Sequence, residues 1–336
     1  MVISFDKDKT LIIKGLAIIF MMLLHCYGKE HYLVDVDFSH APLSHINDVF
    51  KICVGIFVFM VGYGYNFSQN KDLQYSVQHI KKLLIPFWVI LLVFTIPLCF
   101  TEFFSSGWKI ILYNLVGIDS HFNYYSWFVY FFIYAMIVMP FLARFINDRP
   151  LRNTIISVIA AYLLEVAVHT IPGVLDNKPH LALFNCLMMT PGMVLGYYFA
   201  HENIYQKFKI TSRKEGIIIG LFLIILPLIP RHYCTAIFAF QLDFIYAPLV
   251  ICGVLLLANC IKIYWINYIF QKFGEVSVYM WFFHALFYTR VVSWFYQPTI
   301  TIFSNLNLIV IWAIILTFLS SLTIKMVVDK ILTLIK

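Results

Sequence analysis

Ten apolar stretches, each close to the length of a membrane-spanning helix, dominate this sequence and restrict what it can fold into. They cover residues 10–28, 49–67, 82–100, 125–146, 154–172, 181–200, 215–230, 244–261, 277–297 and 308–328. A helix needs about 20 mostly apolar residues to cross a bilayer. In lipid every backbone polar group must be hydrogen-bonded within the protein, and these stretches are too long and too continuously apolar for barrel strands. The sequence therefore predicts an all-α fold, a polytopic membrane protein with a bundle of about ten transmembrane helices.

Composition limits what else the chain can carry. Hydrophobic residues make up 62% of the 336 positions and charged residues 12%, against about 45–50% and about 25% in soluble domains. These values exclude a soluble globular enzyme, a disordered chain and a disulfide scaffold. Ten spans leave no room for a second catalytic domain, so we expect one membrane domain over residues 1–336 with no appended extracytoplasmic domain. The seven cysteines form no Cys-x-x-Cys motif and no cluster with histidine, and we expect no metal site.

Lys and Arg are unevenly distributed between the predicted loops. With the N-terminus in the cytoplasm, 18 of them fall on the inner side and 6 on the outer side, which follows the positive-inside rule. This asymmetry predicts a multi-pass protein of the plasma membrane with both termini cytoplasmic. The net charge of +7 then reflects the inner loops, and we expect no nucleic-acid partner. The first stretch has no cleavage site of small residues, so we expect it to remain as a helix.

Ionisable residues inside the spans are the best candidates for function, because they are costly in a membrane. Lys14 and His25 lie eleven residues apart in the first span, which places them on one helix face about 16 Å apart along the axis. A cation at the inner mouth with an imidazole deeper on the same face suits an anionic ligand whose reactive end reaches inward. The spacing is equally consistent with a lysine that reaches the lipid headgroups and an interfacial histidine.

Other polar residues in the spans leave several interpretations open. Glu165 and His169 form an i, i+4 pair, which is consistent with an ion pair, a proton relay or a mutually satisfied polar pair. His284 lies in the inner half of the ninth span and fits a histidine that hydrogen-bonds within a bundle. Arg290 follows it toward the outside, where it can meet an anionic group or a headgroup. Trp127 suits either an interfacial aromatic belt or stacking on a sugar.

Five short motifs, in order along the chain, resemble those of one family. They are Lys14 followed after ten residues by His25, an apolar run ending in Val61-Gly62-Tyr63, basic residues before Leu83-Leu84-Ile85-Pro86, Ser126-Trp127-Phe128, and Gly274-Glu275-Val276-Ser277 continuing to His284. The family more often has Arg at Lys14, Ser at Val61, and Arg-x-x-Arg where this chain has His79-Ile80-Lys81-Lys82. Together the motifs span nearly the whole chain, and on them the chain resembles the integral-membrane acyltransferase-3 family.

The resemblance implies a ten-helix protein that moves an acyl group, usually acetyl, onto carbohydrates or other cell-surface molecules. It implies acetyl-CoA as donor, a saccharide as acceptor and His25 as general base or transient acyl carrier. Glu165 and His169 are alternative relay candidates, and Asp48 or Glu30 can orient His25. The remaining assignments place the donor at Lys14, His79, Lys81, Lys82 and His284, and the acceptor at Asp48, Trp127 and Arg290.

Two other functions fit the same sequence. One is a transporter or flippase of lipid-linked sugars, which the size, span count and intramembrane charges permit. The sequence shows no internal repeat of the kind on which many transporters are built, and the Lys14–His25 spacing favours the enzyme. The other is an acyltransferase that acts on a small molecule or a lipid headgroup.

Overall fold

The computed structural model describes residues 3, 5–28, 33, 42–68, 73–173, 176–238, 242–261 and 263–334. These residues form helices joined by short connections and contain no β-strand. The α-helices are α1 Lys7–Tyr27, α2 Ile52–Asn66, α3 Leu73–Ile90, α4 Phe100–Ser105, α5 Trp108–Leu115, α6 Trp127–Asp148, α7 Pro150–His169, α8 Lys178–His201, α9 Ile204–Lys207, α10 Arg213–Phe238, α11 Asp243–Cys260, α12 Tyr264–Glu275, α13 Ser277–His284, α14 Ser293–Ile300 and α15 Leu306–Leu334. A 3-10 helix, Pro42–Lys51, leads into α2, and a π-helical turn, Leu91–Thr95, continues α3.

Within the described residues, nine helices are long and apolar enough to cross a membrane. They correspond to nine of the ten predicted stretches, so the prediction of an all-α polytopic membrane protein is confirmed. The ninth stretch, 277–297, instead contains α13, a 3-10 turn at Ala285–Phe287, a non-helical connection and the start of α14. The hydroxyl of Thr289 bonds the Ala285 carbonyl at this break, and such local side-chain bonds compete with regular helix.

The chain forms two compact units, each assembled from three separate segments. Unit one contains Met1–Phe20, Asp48–Ser76 and Tyr134–Glu275, and unit two contains Met21–Asn47, Val77–Ile133 and Val276–Lys336. Glu30, a predicted partner of His25, lies outside the described ranges. The prediction of a single domain stays a prediction.

In unit one, glycines let helix backbones approach closely. A Cβ placed on Gly62 of α2 would lie 1.8 Å from the Met193 carbonyl oxygen of α8, and one on Gly196 of α8 would lie 2.0 Å from the Phe59 carbonyl oxygen of α2. Small residues at such contacts are typical of helix packing in membranes, where dispersion contacts replace the hydrophobic driving force. The Gly62 of the second sequence motif therefore has a packing role.

In unit two, aromatic side chains fill the space around α13. Phe282 packs against Phe87 of α3 with ring centroids 5.1 Å apart, and Trp281 packs against Phe128 of α6 at 4.6 Å. Every residue of α13 except Val278 is buried. This short helix is therefore the packed centre from which His284 extends.

Candidate active site

Two histidines that are remote in sequence meet in unit two. Nδ1 of His25, near the end of α1, lies 2.8 Å from Nε2 of His284, the last residue of α13. His284 is fully buried, whereas His25 is partly exposed. The second nitrogen of His284, Nδ1, lies 3.1 Å from the carbonyl oxygen of Met280.

These contacts assign the protons of both rings. A carbonyl oxygen only accepts hydrogen bonds, so Nδ1 of His284 carries a proton and donates it to Met280. In a neutral ring Nε2 of His284 then has a lone pair, and it accepts a hydrogen bond from the protonated Nδ1 of His25. The remaining nitrogen of His25, Nε2, is left with its lone pair. It has no hydrogen-bond partner among the residues that the structure describes.

Two tyrosine side chains pack against the His25 ring, one on a face and one at an edge. The ring of Tyr125 stacks on His25 with centroids 3.7 Å apart and planes inclined by 12°. Tyr288 contacts the edge of His25, and its hydroxyl lies 3.0 Å from the sulfur of Cys26. Since rotation of the imidazole would break both the stack and the His284 hydrogen bond, the ring is held in one orientation.

The segment that carries Tyr125 is tied to the helix that carries His284. The side-chain amide Nδ2 of Asn123 donates to the Phe282 carbonyl at 3.2 Å. The backbone N–H of Tyr124 donates to the hydroxyl of Thr289 at 3.1 Å. These bonds explain how a segment without regular helix places Tyr125 so closely against His25.

The arrangement has the parts of an oriented general base. A fixed imidazole presents an unprotonated nitrogen, and a second group holds the opposite nitrogen in its protonated form. An unprotonated imidazole nitrogen can take the proton of a hydroxyl group as its oxygen attacks, so this pair suits removal of a proton from a hydroxyl group. Within the described ranges, no three His, Cys, Asp or Glu side chains converge as a metal site needs.

Comparison with protein families decides the class of this chain. A family model described as an acyltransferase domain matches residues 11–327 of the 336. The chain belongs to the acyltransferase-3 family. The protein is therefore a multi-pass membrane acyltransferase, as its motifs and its apolar helices indicate. No curated protein and no solved structure matches it.

Other predicted residues of this acyltransferase lie elsewhere in unit two. On α3, His79 is half-buried and the side chains of Lys81 and Lys82 are exposed. Trp127 is half-buried at the first position of α6, and Arg290 is exposed in the connection between α13 and α14. Their roles in binding donor or acceptor stay predictions.

The predicted residues of unit one are separated along the chain. Lys14 is half-buried on α1, and on α7 Glu165 is buried whereas His169 is exposed beside Phe184. Asp48 accepts a hydrogen bond from Nδ1 of His232 at 2.9 Å. The role of Asp48 in orienting His25 or in binding the acceptor stays a prediction.

Sequence reasoning missed three aromatic or polar neighbours of the acyltransferase site. Tyr125 precedes the Ser126-Trp127-Phe128 motif by one residue, and Asn123 precedes it by three. Tyr288 follows His284 by four residues, which places it one turn further along the chain. The only available signal was this nearness to motifs, because Tyr is also common at membrane interfaces.

Sequence reasoning also missed a buried ion pair in unit one. Nε and one terminal nitrogen of Arg231 on α10 donate to the two carboxylate oxygens of Asp243 on α11, at 2.8 and 3.0 Å. A further Arg231 nitrogen donates to the Asp48 carbonyl. Both charged side chains are at least 95% buried. Such a bidentate pair satisfies two charges that would otherwise be costly in the membrane.

Proposed function

We propose that this acyltransferase moves an acetyl group from cytoplasmic acetyl-CoA to a hydroxyl group of a cell-surface or lipid-linked saccharide. The observation that carries the proposal is the His25–His284 pair. Its tautomers leave Nε2 of His25 unprotonated, on a residue that is partly exposed. Transfer to oxygen requires a base for the hydroxyl proton, and no such base is needed for carrying an intact sugar across a membrane.

In the proposed reaction, Nε2 of His25 takes the proton of the acceptor hydroxyl as its oxygen attacks the thioester carbonyl. The carbon–sulfur bond of the tetrahedral intermediate then breaks. The proton held on Nε2 passes to the departing thiolate, which leaves as free CoA. His284 keeps the opposite nitrogen of His25 protonated throughout attack and release, in the manner of an orienting partner in a catalytic triad.

The donor side of the proposal rests on charge. Acetyl-CoA is a polyanion, and Lys14, Lys81 and Lys82, together with His79, would meet its phosphates as point charges without the bidentate fork of arginine. The proposal places both termini on the cytoplasmic side of the plasma membrane, on the basis of the 18 inner and 6 outer Lys and Arg residues.

The acceptor side rests on residues near the predicted outer surface. Asp48, Trp127 and Arg290 are proposed to contact the saccharide, by hydrogen bonds and by stacking of the indole on a sugar ring. Glu165 and His169 are kept as an alternative proton relay.

The decisive experiment measures acetyl transfer with His25 replaced. Membranes of a host lacking the gene, supplied with wild-type or His25→Ala protein, are incubated with radiolabelled acetyl-CoA and the host's de-O-acetylated surface polysaccharide. Loss of a general base lowers rates by about 10²–10⁴-fold, so we expect His25→Ala to lower polysaccharide labelling by that factor. His201→Ala, which removes a partly exposed histidine of α8, is the matched control and should label normally.

A binding measurement separates the enzyme from a transporter. Acetyl-CoA should raise the unfolding temperature of the purified protein in detergent, because a ligand that binds only the folded state stabilises it. His25→Ala should keep this stabilisation, and Lys14→Ala should weaken it. Normal labelling by His25→Ala would remove His25 from the mechanism, and an absence of stabilisation by acetyl-CoA in the wild type would contradict the proposed donor.

A further inference from the structure

We propose that Asn123 is an acceptor-binding residue, whose side-chain oxygen accepts a hydrogen bond from a hydroxyl group of the saccharide beside His25. This inference rests on the proposed function and assigns a residue to its acceptor site. Asn123 lies outside the family motifs that the sequence shows.

The first observation is an unpaired atom. Asn123 is 1% exposed, and its oxygen Oδ1 is buried without a hydrogen-bond partner in the described part of the chain. Burying an amide oxygen without a partner is unfavourable, so such atoms call for a ligand or a bound water. The orientation of the amide is fixed, since Nδ2 donates to the Phe282 carbonyl at 3.2 Å and the opposite orientation would set two oxygens against each other.

The second observation is the position of this atom. Helical carbonyls point toward the C-terminus of their helix, so the Phe282 oxygen that holds Asn123 faces the turn that contains His284. Two residues after Asn123, the ring of Tyr125 stacks 3.7 Å from His25 and 5.2 Å from His284. The Asn123 amide is thus bonded to α13 two residues before His284, and the segment that carries Asn123 also carries the ring that stacks on His25.

The chemistry of the free atom selects its ligand. An amide oxygen only accepts hydrogen bonds, so it needs a donor group. The thioester group offers only acceptors, and the amide N–H groups of the pantetheine arm lie away from the reacting carbon, whereas a saccharide carries hydroxyl groups next to the reacting one. A hydroxyl neighbouring the reacting one satisfies Oδ1 and orients the sugar over Nε2 of His25. A ligand that lacks a hydroxyl at that position would leave Oδ1 unpaired, which gives the site selectivity.

The test compares the Michaelis constants for the two substrates in the membrane assay with acetyl-CoA and de-O-acetylated polysaccharide. Loss of one hydrogen bond to a neutral partner corresponds to about a five- to tenfold change. We expect Asn123→Ala to raise KM for polysaccharide by about that factor and to leave KM for acetyl-CoA unchanged. Ser321→Ala, which removes a fully buried hydroxyl that also lacks a partner in the described residues, is the control and should change neither constant.

A second variant separates substrate binding from a merely structural role. Thr289→Val removes the hydroxyl that anchors Tyr124 and loosens the same segment without touching Asn123. If Asn123→Ala alters both Michaelis constants and the unfolding temperature as Thr289→Val does, Asn123 only anchors the segment and the inference is wrong. A selective rise in KM for acetyl-CoA would place the donor at Asn123 and overturn it equally. If wild-type protein transfers no acetyl group, the proposed function fails and this inference fails with it.

Discussion

The hydrogen bond between His25 and His284 determines which nitrogen of His25 can act as a base in this acyltransferase. Met280 offers only a carbonyl oxygen, so Nδ1 of His284 carries a proton. Nε2 of His284 then accepts from Nδ1 of His25, and Nε2 of His25 is left unprotonated. The motif resemblance assigned His284 to donor binding, whereas the geometry places its Nε2 against His25. A single histidine pair thus accounts for two of the five motifs.

Replacing His284 tests whether it orients the base. His284→Ala leaves Nδ1 of His25 without its acceptor, so we expect the rate of acetyl transfer to fall by about 10–100-fold. His284→Gln offers an amide oxygen to the same proton and should retain more activity than His284→Ala. Initial rates with acetyl-CoA and polysaccharide give the comparison.

The same variants distinguish orientation from donor binding. Stabilisation by acetyl-CoA should persist in His284→Ala, because the interaction lost lies between two side chains of the protein. Loss of that stabilisation with a preserved rate at saturating donor would instead support the assignment of His284 to the donor.

At the scale of helices, the contact between α2 and α8 depends on two glycines that face each other's backbone. Gly62 meets the carbonyl of Met193, and Gly196 meets the carbonyl of Phe59. Neither contact leaves room for a Cβ, and the obstacle is backbone, which cannot move without displacing a helix. At Gly64, the next glycine of α2, a Cβ would meet no atom within 4 Å.

Alanine at these two positions of α2 should have opposite effects. Gly62→Ala forces the helices apart, and overpacking of this kind costs about 1–3 kcal/mol, so we expect a lower unfolding temperature in detergent. Gly64→Ala enters open space and should leave the unfolding temperature unchanged or slightly higher, since alanine favours helix over glycine. Equal effects of both substitutions would show that helix propensity, and not the close approach, dominates.

The break between α13 and α14 could not be predicted from hydropathy. Residues 277–297 are as apolar as a continuous span, and no proline marks the break at 288–292. The hydroxyl of Thr289 bonds Ala285 and also receives the N–H of Tyr124, so the interruption depends on a partner from another part of the chain. Tertiary contacts of this kind are invisible to a pattern along one segment.

At the scale of the whole molecule, unit one contains a charge network built on the buried Arg231–Asp243 pair. Arg231 binds Asp243 and the Asp48 carbonyl, and His232 binds the Asp48 carboxylate. The network connects the neighbouring helices α10 and α11 to Asp48, which lies 183 residues before Arg231. It lies in the same unit as Lys14 and the Glu165–His169 segment.

Breaking this network should destabilise the protein strongly. Asp243→Ala leaves the buried Arg231 without its counter-charge, at a cost of about 3–5 kcal/mol. Unfolding in detergent should show this loss, and the double replacement Arg231→Met with Asp243→Leu should recover most of it. Lys272→Ala removes the exposed ion pair with Glu275 and, as a surface control, should cost about 0–1 kcal/mol. A double variant as unstable as Asp243→Ala would indicate that Arg231 acts through its other contacts.

Much of the fold and part of the site follow from the sequence, for reasons of chemistry. Backbone polar groups in lipid must be hydrogen-bonded within the protein, which favours helices. Nine predicted spans accordingly match long helices in the described residues. His25 and His284 stand out because charge and polarity are rare in an apolar background. Their contact, across 259 residues, and the stacking of Tyr125 are set by tertiary packing, which spacing along the chain does not encode. The pairing of Asp48 with His232 was missed for the same reason.

The carbonyl of Met280 has a further consequence for the reaction. It ends the hydrogen-bonded row that begins at Nε2 of His25, and an amide carbonyl does not take up a proton at neutral pH. A proton that enters this row therefore has no exit on the far side and must leave through the atom by which it entered. In the proposed transfer Nε2 therefore returns the proton that it took from the acceptor, and its delivery to the CoA thiolate completes each turnover in protons without exchange with either side of the membrane.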